Sequence, residues 1–327
     1  MEKENIQIIK EVFDNEFSKF GKIFQKNFWE LILALFSSQT SNLAKTAVCM
    51  GKYNNKTFKR NEQKLQRIIQ LKDFKVSDKL WRVYLNILFS LLEGQKIVSR
   101  GCTIPINIDF TSIKDKFLIL SASIPFEGRA IPIYFSIRVY PKKAKMSSQK
   151  KMEEAFLKQL KHLLSKKYEY TIVADRGFGH SRFINDCLRL GFNYILRVKN
   201  NSIIEIGNKK LKITDLPREK DDIEIVLSRS KTKTRMIISF ADKESQGWYI
   251  ITNLEQESYE ELIVHYKQRF HCEKMFQDQK SSIFDIENSK VEEYSRFSNL
   301  FFSICFTQML TMLVGKEIDK NYKKLKK

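Results

Sequence analysis

The order of hydrophobic patterns between residues 104 and 198 constrains this chain more than any other feature. Ile104, Ile106 and Ile108 alternate with Pro105, Asn107 and Asp109, the two-residue period of a half-buried strand. Lys116–Ser123 (KFLILSAS) and Ala130–Val139 (AIPIYFSIRV) read as second and third strands, with a turn at Glu127-Gly128 before the third. A basic loop follows, carrying Lys142, Lys143, Lys145, Lys150 and Lys151. The spacing then predicts an amphipathic helix over about Lys150–Ser165, a buried strand at Tyr170–Ala174, a helix at His180–Leu190 and a strand at Tyr194–Val198. Hairpins join antiparallel strands, whereas parallel neighbours need a crossover, usually helical. The first three strands are therefore expected to be antiparallel, and the last two to enter through helices.

This order, β-β-β-α-β-α-β, resembles the ribonuclease-H-like fold. The expected class is α/β with a mixed sheet, completed by one more helix. Residues 201–245 interrupt the pattern with short strand-like runs (Ile203–Ile206, Lys209–Ile213, Ile223–Ser228, Arg235–Phe240) between charged turns. They read as a β-rich insertion. Trp248–Thr252 is a further strand, and a long helix begins near Ser258. Residues 1–97 read as helical, with apolar residues at helical spacing in Ile6–Phe20, Phe28–Phe36 and Leu80–Leu92 and with Thr40-Ser41 as a cap. The expected organisation is a helical N-terminal domain (1–97), a core (98–200 and 246–315), the insertion (201–245), and a basic, fraying tail (316–327).

Lys and Arg number 58 against 38 Asp and Glu, a formal net charge of +20. Such an excess attracts polyanions, nucleic acid above all. An AT-rich genome that favours lysine codons would give the same composition. The five cysteines have no C-x-x-C spacing, and the N-terminus has no apolar leader, so reduced thiols in a cytoplasmic, nucleoid-associated protein are expected. Phe28–Phe36 and Leu300–Val314 read as buried core helices rather than membrane spans.

Three acids stand where such a fold can use them: Asp109 at the end of the first strand, Asp175 after the fourth, and Glu273 on the helix after the insertion. Singly, an Asp at a strand end is ordinarily a cap or turn residue. Brought together, carboxylates repel by roughly 4 kcal/mol per pair at about 4 Å and effective dielectric 20. A divalent cation removes that repulsion, and oxygen-only ligands suit Mg²⁺ or Mn²⁺. Two ions about 3.5–4 Å apart would flank a scissile phosphate. Tyr266, Arg269, Glu273 and Lys280 fall within an arc of roughly 60° on an ideal helix. That is a poor hydrophobic face and a good phosphate-handling one, although a solvated charged stripe has the same spacing. His180, close to Asp175, is a candidate acid–base group, but two-metal chemistry does not need one. His265 and His271 have no matching pair for zinc.

Tyr266-x2-Arg269-x3-Glu273-x6-Lys280 resembles the Y-R-E-K signature of DDE-type bacterial insertion-sequence transposases. Asp175-Arg176-Gly177-Phe178 looks like that family's second-aspartate motif and Ile108-Asp109-Phe110-Thr111 like its first, with Phe110 where Gly is commoner. Phe270 replaces a usual Trp and Cys272 an aliphatic residue. The resemblance covers about residues 100–312. It implies a cut-and-paste enzyme that cleaves at the terminal inverted repeats of its element and joins the freed 3′-hydroxyl to target DNA. Asp109, Asp175 and Glu273 would be catalytic and bind two Mg²⁺ or Mn²⁺ ions, while Tyr266, Arg269, Lys280, Arg176 and Trp248 would contact DNA. Some relatives form an end hairpin and flip a base onto a Trp, for which Trp248 is the candidate; a core-packed Trp is the alternative. The resemblance further implies a homodimer on DNA and no membrane. The competing readings are a catalytically silent, transposase-derived DNA-binding protein and another ribonuclease-H-fold nuclease.

Overall fold

The computed structural model describes residues 11–139, 146–240 and 247–325 except 12, 72, 73, 75 and 218. Lys142, Lys143 and Lys145 of the expected basic loop lie outside the described residues.

Thr103–Ile113 (β1), Phe117–Phe126 (β2) and Arg129–Val139 (β3) form an antiparallel meander. The β2–β3 turn is the expected Glu127-Gly128, both left-handed with φ 46° and 74°, the backbone that a two-residue hairpin demands. Met146–Leu163 (α6) crosses over to Glu169–Ala174 (β4), parallel to β1. Ser181–Arg189 (α7) then leads to Asn193–Arg197 (β5), parallel to β4. The strand order β3-β2-β1-β4-β5 is that of the ribonuclease-H-like core.

The strands between residues 203 and 239 do not stand apart as a separate sheet. Ile203–Ile206 (β6), Lys209–Lys212 (β7), Asp221–Leu227 (β8) and Thr232–Ser239 (β9) join Trp248–Thr252 (β10). β10 pairs antiparallel with both β5 and β9. One ten-stranded sheet results, continuing from β5 as β10-β9-β8-β6-β7.

Alternation along β4 assigns the two sheet faces. Val173 faces Leu262, Ile263 and Tyr266 of Tyr259–Lys267 (α8), while Ile172 and Ala174 face the main core. Asn107 is in register with Val173, so Asn107 and Asp109 look toward the helix that carries the Y-R-E-K residues.

Upstream helices are residues 13–17 (α1), Lys22–Ser38 (α2), Leu43–Asn54 (α3), Phe58–Ile68 (α4) and Asp78–Gly94 (α5). The cap of α3 is Asn42, whose side chain accepts from the Ala44 and Lys45 N–H groups, and not Thr40-Ser41. These helices share the core of the sheet through aromatic contacts. Phe13 and Phe28 meet Phe306 edge-on at 5.3 and 5.1 Å, and Trp81 meets Phe302 at 4.9 Å and Phe135 at 5.1 Å. Phe302 and Phe306 belong to Tyr294–Leu325 (α10), which runs on as helix through most of the expected tail. Its segment Tyr294–Lys316 is long and apolar enough to cross a bilayer, longer than the sequence reading allowed, but 78% of its apolar window is buried within the protein. All five cysteines are free thiols.

Candidate active site

Asp109 lies within β1 and does not end it; the strand continues to Ile113. What ends is the pairing with β4: Ile108 and Ala174 are the last registered partners. Asp109 and Asp175 are therefore the next residues on two adjacent parallel strands. The strand runs on through Phe110 without a turn, so no glycine is needed there. The Phe110 ring stacks on Phe178 at 5.4 Å and 6°, and its N–H donates to Asp109 Oδ1 at 2.8 Å. The Asp175 carboxylate folds back to accept from the Gly177 N–H at 2.8 Å. A Cβ on Gly177 would touch that carboxylate, and one on Gly179 would overlap the Arg197 carbonyl. Gly179 is thus pressed against β5, while Gly177 leaves room for the Asp175 carboxylate within the turn. Arg176 is exposed on that turn.

The helix bearing Glu273 is not uniform. α8 starts at a capping box of Ser258 and Glu261, tightens into a 3₁₀ turn at Gln268–Phe270, and resumes as His271–Gln277 (α9). It then loosens into a π turn at Asp278–Ser282. The four signature residues accordingly do not share one ideal stripe, because a 3₁₀ turn overwinds and a π turn underwinds the helix. Lys280 sits in the π turn and pairs with Glu287 at 3.2 Å. Tyr266 is buried at 1% exposure and packs edge-on against Trp248 at 5.0 Å. Trp248 also approaches the half-exposed Phe270 at 6.0 Å.

Arg269 joins the acids. Its Nη1 donates to Asp109 Oδ2 at 3.2 Å and its Nη2 to Glu273 Oε1 at 3.0 Å. Its guanidinium lies over the Phe270 ring, 4.5 Å from the centroid. Burial pushes the Asp109 carboxyl up to about 6; Arg269 draws it back, and the nearby Asp175 charge raises it further. The structure therefore brings Asp109, Asp175, Arg269 and Glu273 together, with Trp248 and Tyr266 packed alongside. Among the described residues, no three acidic, His or Cys side chains are close enough to share one ion. The donor set nevertheless fits a hard cation: it is all oxygen, and Asp109 and Asp175 repel each other in a site short of positive charge.

Sequence reasoning missed Asn107. Fully buried on β1, it donates from Nδ2 to the Gln268 carbonyl at 3.0 Å, tying the 3₁₀ turn to the strand that carries Asp109. Its place two residues before Asp109 put it on the same strand face, but an Asn there reads equally as solvent-facing. His180 has a structural post. Its Nδ1 accepts from the Phe183 N–H at 3.2 Å to cap α7, and its Nε2 meets the buried Glu153 carboxylate at 2.9 Å.

The family model for the transposase DDE domain matches residues 131–310, more than half of the chain. This chain belongs to the DDE transposase family. Similar solved structures include a piggyBac transposase synaptic complex with hairpin DNA. That likeness has 12% identity, covers 88% of this chain and 67% of the other, and has a TM-score of 0.48. Endonuclease V from Bacillus subtilis is another, at 11% identity over 60% of this chain and 83% of the other, with a TM-score of 0.29. No curated protein matches. The protein is a DNA transposase, and the chemistry of its family depends on divalent metal ions.

Proposed function

We propose that this transposase cleaves DNA at the terminal inverted repeats of its element and transfers the freed 3′-hydroxyl to target DNA, with Asp109, Asp175 and Glu273 as the catalytic carboxylates. The observation that carries this reading is the side-by-side placement of Asp109 and Asp175 just beyond the β1–β4 pairing, with Glu273 reached through Arg269. Two Mg²⁺ or Mn²⁺ ions held there would activate the attacking water or 3′-hydroxyl and stabilise the leaving oxygen. Asp109 and Asp175 would hold the ions from the sheet, and Glu273 would complete the site from the helix. Arg269, Lys280 and the exposed Arg176 neutralise phosphate oxygens and orient the scissile strand. Trp248 and Phe270 offer aromatic surface beside the acids on which an unstacked base can rest. In this arrangement Tyr266 packs Trp248 rather than meeting phosphate directly. Two ends must be joined in one event, so the working unit on DNA is a homodimer.

The test is cleavage of the DNA flanking the protein's own gene, with Mg²⁺ and with EDTA, beside Asp175→Ala and Glu273→Gln. Metal-dependent breaks at two inverted-repeat ends, lost in both variants while DNA binding persists, are expected. Tight binding without breaks under any condition would instead identify a silent DNA-binding relative. Equal loss of binding and cleavage in both variants would overturn the catalytic assignment.

A further inference from the structure

Arg269 bridges Asp109 and Glu273. Its two terminal nitrogens reach one carboxylate each, at 3.2 and 3.0 Å. Its side chain is only 9% exposed, whereas that of Glu273 is 57% exposed. The guanidinium lies over Phe270, and Asn107 anchors the 3₁₀ turn that presents it; its Nε is buried with no partner. A buried N–H left unpaired is costly, so this position is not optimised for stability alone. Among the described residues, no three acids gather as a metal site; the guanidinium bridges Asp109 and Glu273.

We propose that Arg269 is a resident counter-cation that occupies the carboxylate site in the metal-free protein and must leave before Asp109 and Glu273 can share a divalent ion. The inference rests on the reading of those two residues as metal ligands. Guanidinium and metal are mutually exclusive between the same two oxygens. Once displaced, the fork is free for a bidentate oxyanion, and the two non-bridging oxygens of a DNA phosphate supply one. Metal binding and the phosphate grip of Arg269 are thereby coupled, and the coupling is reciprocal.

The experiment is titration of the full chain with Mn²⁺ alone, without DNA, following free Mn²⁺ by electron paramagnetic resonance, for wild type, Arg269→Gln, Arg269→Lys and Asp109→Asn. Arg269→Gln is expected to bind Mn²⁺ at least about 10-fold tighter than wild type, because two charge-assisted hydrogen bonds no longer oppose entry. Arg269→Lys, which keeps the charge but loses the fork, is expected between the two. Should Arg269→Gln fail to fold, Arg269→Lys decides: affinity equal to or below wild type overturns the proposal. If both Arg269 variants bind no tighter than wild type while Asp109→Asn loses Mn²⁺, the counter-cation role is wrong and the metal-ligand reading stands. If Asp109→Asn binds Mn²⁺ as wild type does, both fall together.

Discussion

Asp109 shows how a residue of the proposed site carries an energetic cost. Its carboxyl titrates near 6 in the folded chain against an ordinary 3.8, chiefly because burial disfavours the charged form. The folded state therefore holds its proton more tightly than the unfolded state does. Stability contributed at this position is highest below the unfolded value and is lost as pH rises through about 4 to 6. A shift of this size corresponds to roughly 2–3 kcal/mol. Asp109→Asn carries no charge at any pH, so in metal-free thermal melts it should match wild type near pH 4 and melt higher above pH 6. Parallel melting curves across that range would contradict the burial argument. Under the proposed metal-ligand role the same proton would compete with metal, and Mn²⁺ affinity of the wild type should then rise with pH through about 6.

At the scale of elements, the helix termini and the helix irregularities decide which side chains meet. α7 begins because His180 accepts the Phe183 N–H and holds the buried Glu153 with its other nitrogen. Asn at this position can still cap the helix but cannot reach Glu153. Urea denaturation should show His180→Ala destabilised by about 1–3 kcal/mol, through a lost cap and a stranded buried carboxylate, with His180→Asn in between. Cleavage per folded molecule should persist in both; its loss in His180→Asn would instead make His180 part of the chemistry. The capping box at Ser258 and Glu261 was legible in sequence as the helix start near Ser258. The 3₁₀ and π turns that follow were not, since no Pro or Gly marks them. They arise where Asn107 ties down the Gln268 carbonyl and where the buried Asp278 pairs with Arg129.

At the scale of the whole molecule, the N-terminal helices and one face of the sheet share the largest hydrophobic cluster. Helices α1, α2 and α5 contribute Phe13, Phe28 and Trp81 to the same aromatic cluster as Phe302 and Phe306 of α10. A chain of residues 98–327 would expose that cluster, so it should lack a cooperative thermal transition. A sharp transition would show that the helices are a separable domain. The net charge of +20 predicts DNA binding that weakens steeply with salt, with a log–log slope of about −0.9 per phosphate neutralised. A flat response in a salt titration of a DNA-binding isotherm would show that the basic surface is not the DNA footprint.

By itself the sequence determined the elements and their order. Strand and helix periods are local properties, and strands such as β4, β6 and β10 fell within a residue or less of their predicted limits. It also singled out Asp109, Asp175 and Glu273, the carboxylates of the proposed site. The tertiary structure alone decided that the strands of residues 203–239 extend the core sheet, because an exposed strand edge carries no local mark of the partner it will pair with. It alone put Arg269 between Asp109 and Glu273, 160 and 4 residues away. Spacing can align residues on one helix, but which charge a guanidinium meets is settled through space, by the sheet that the helix is packed against.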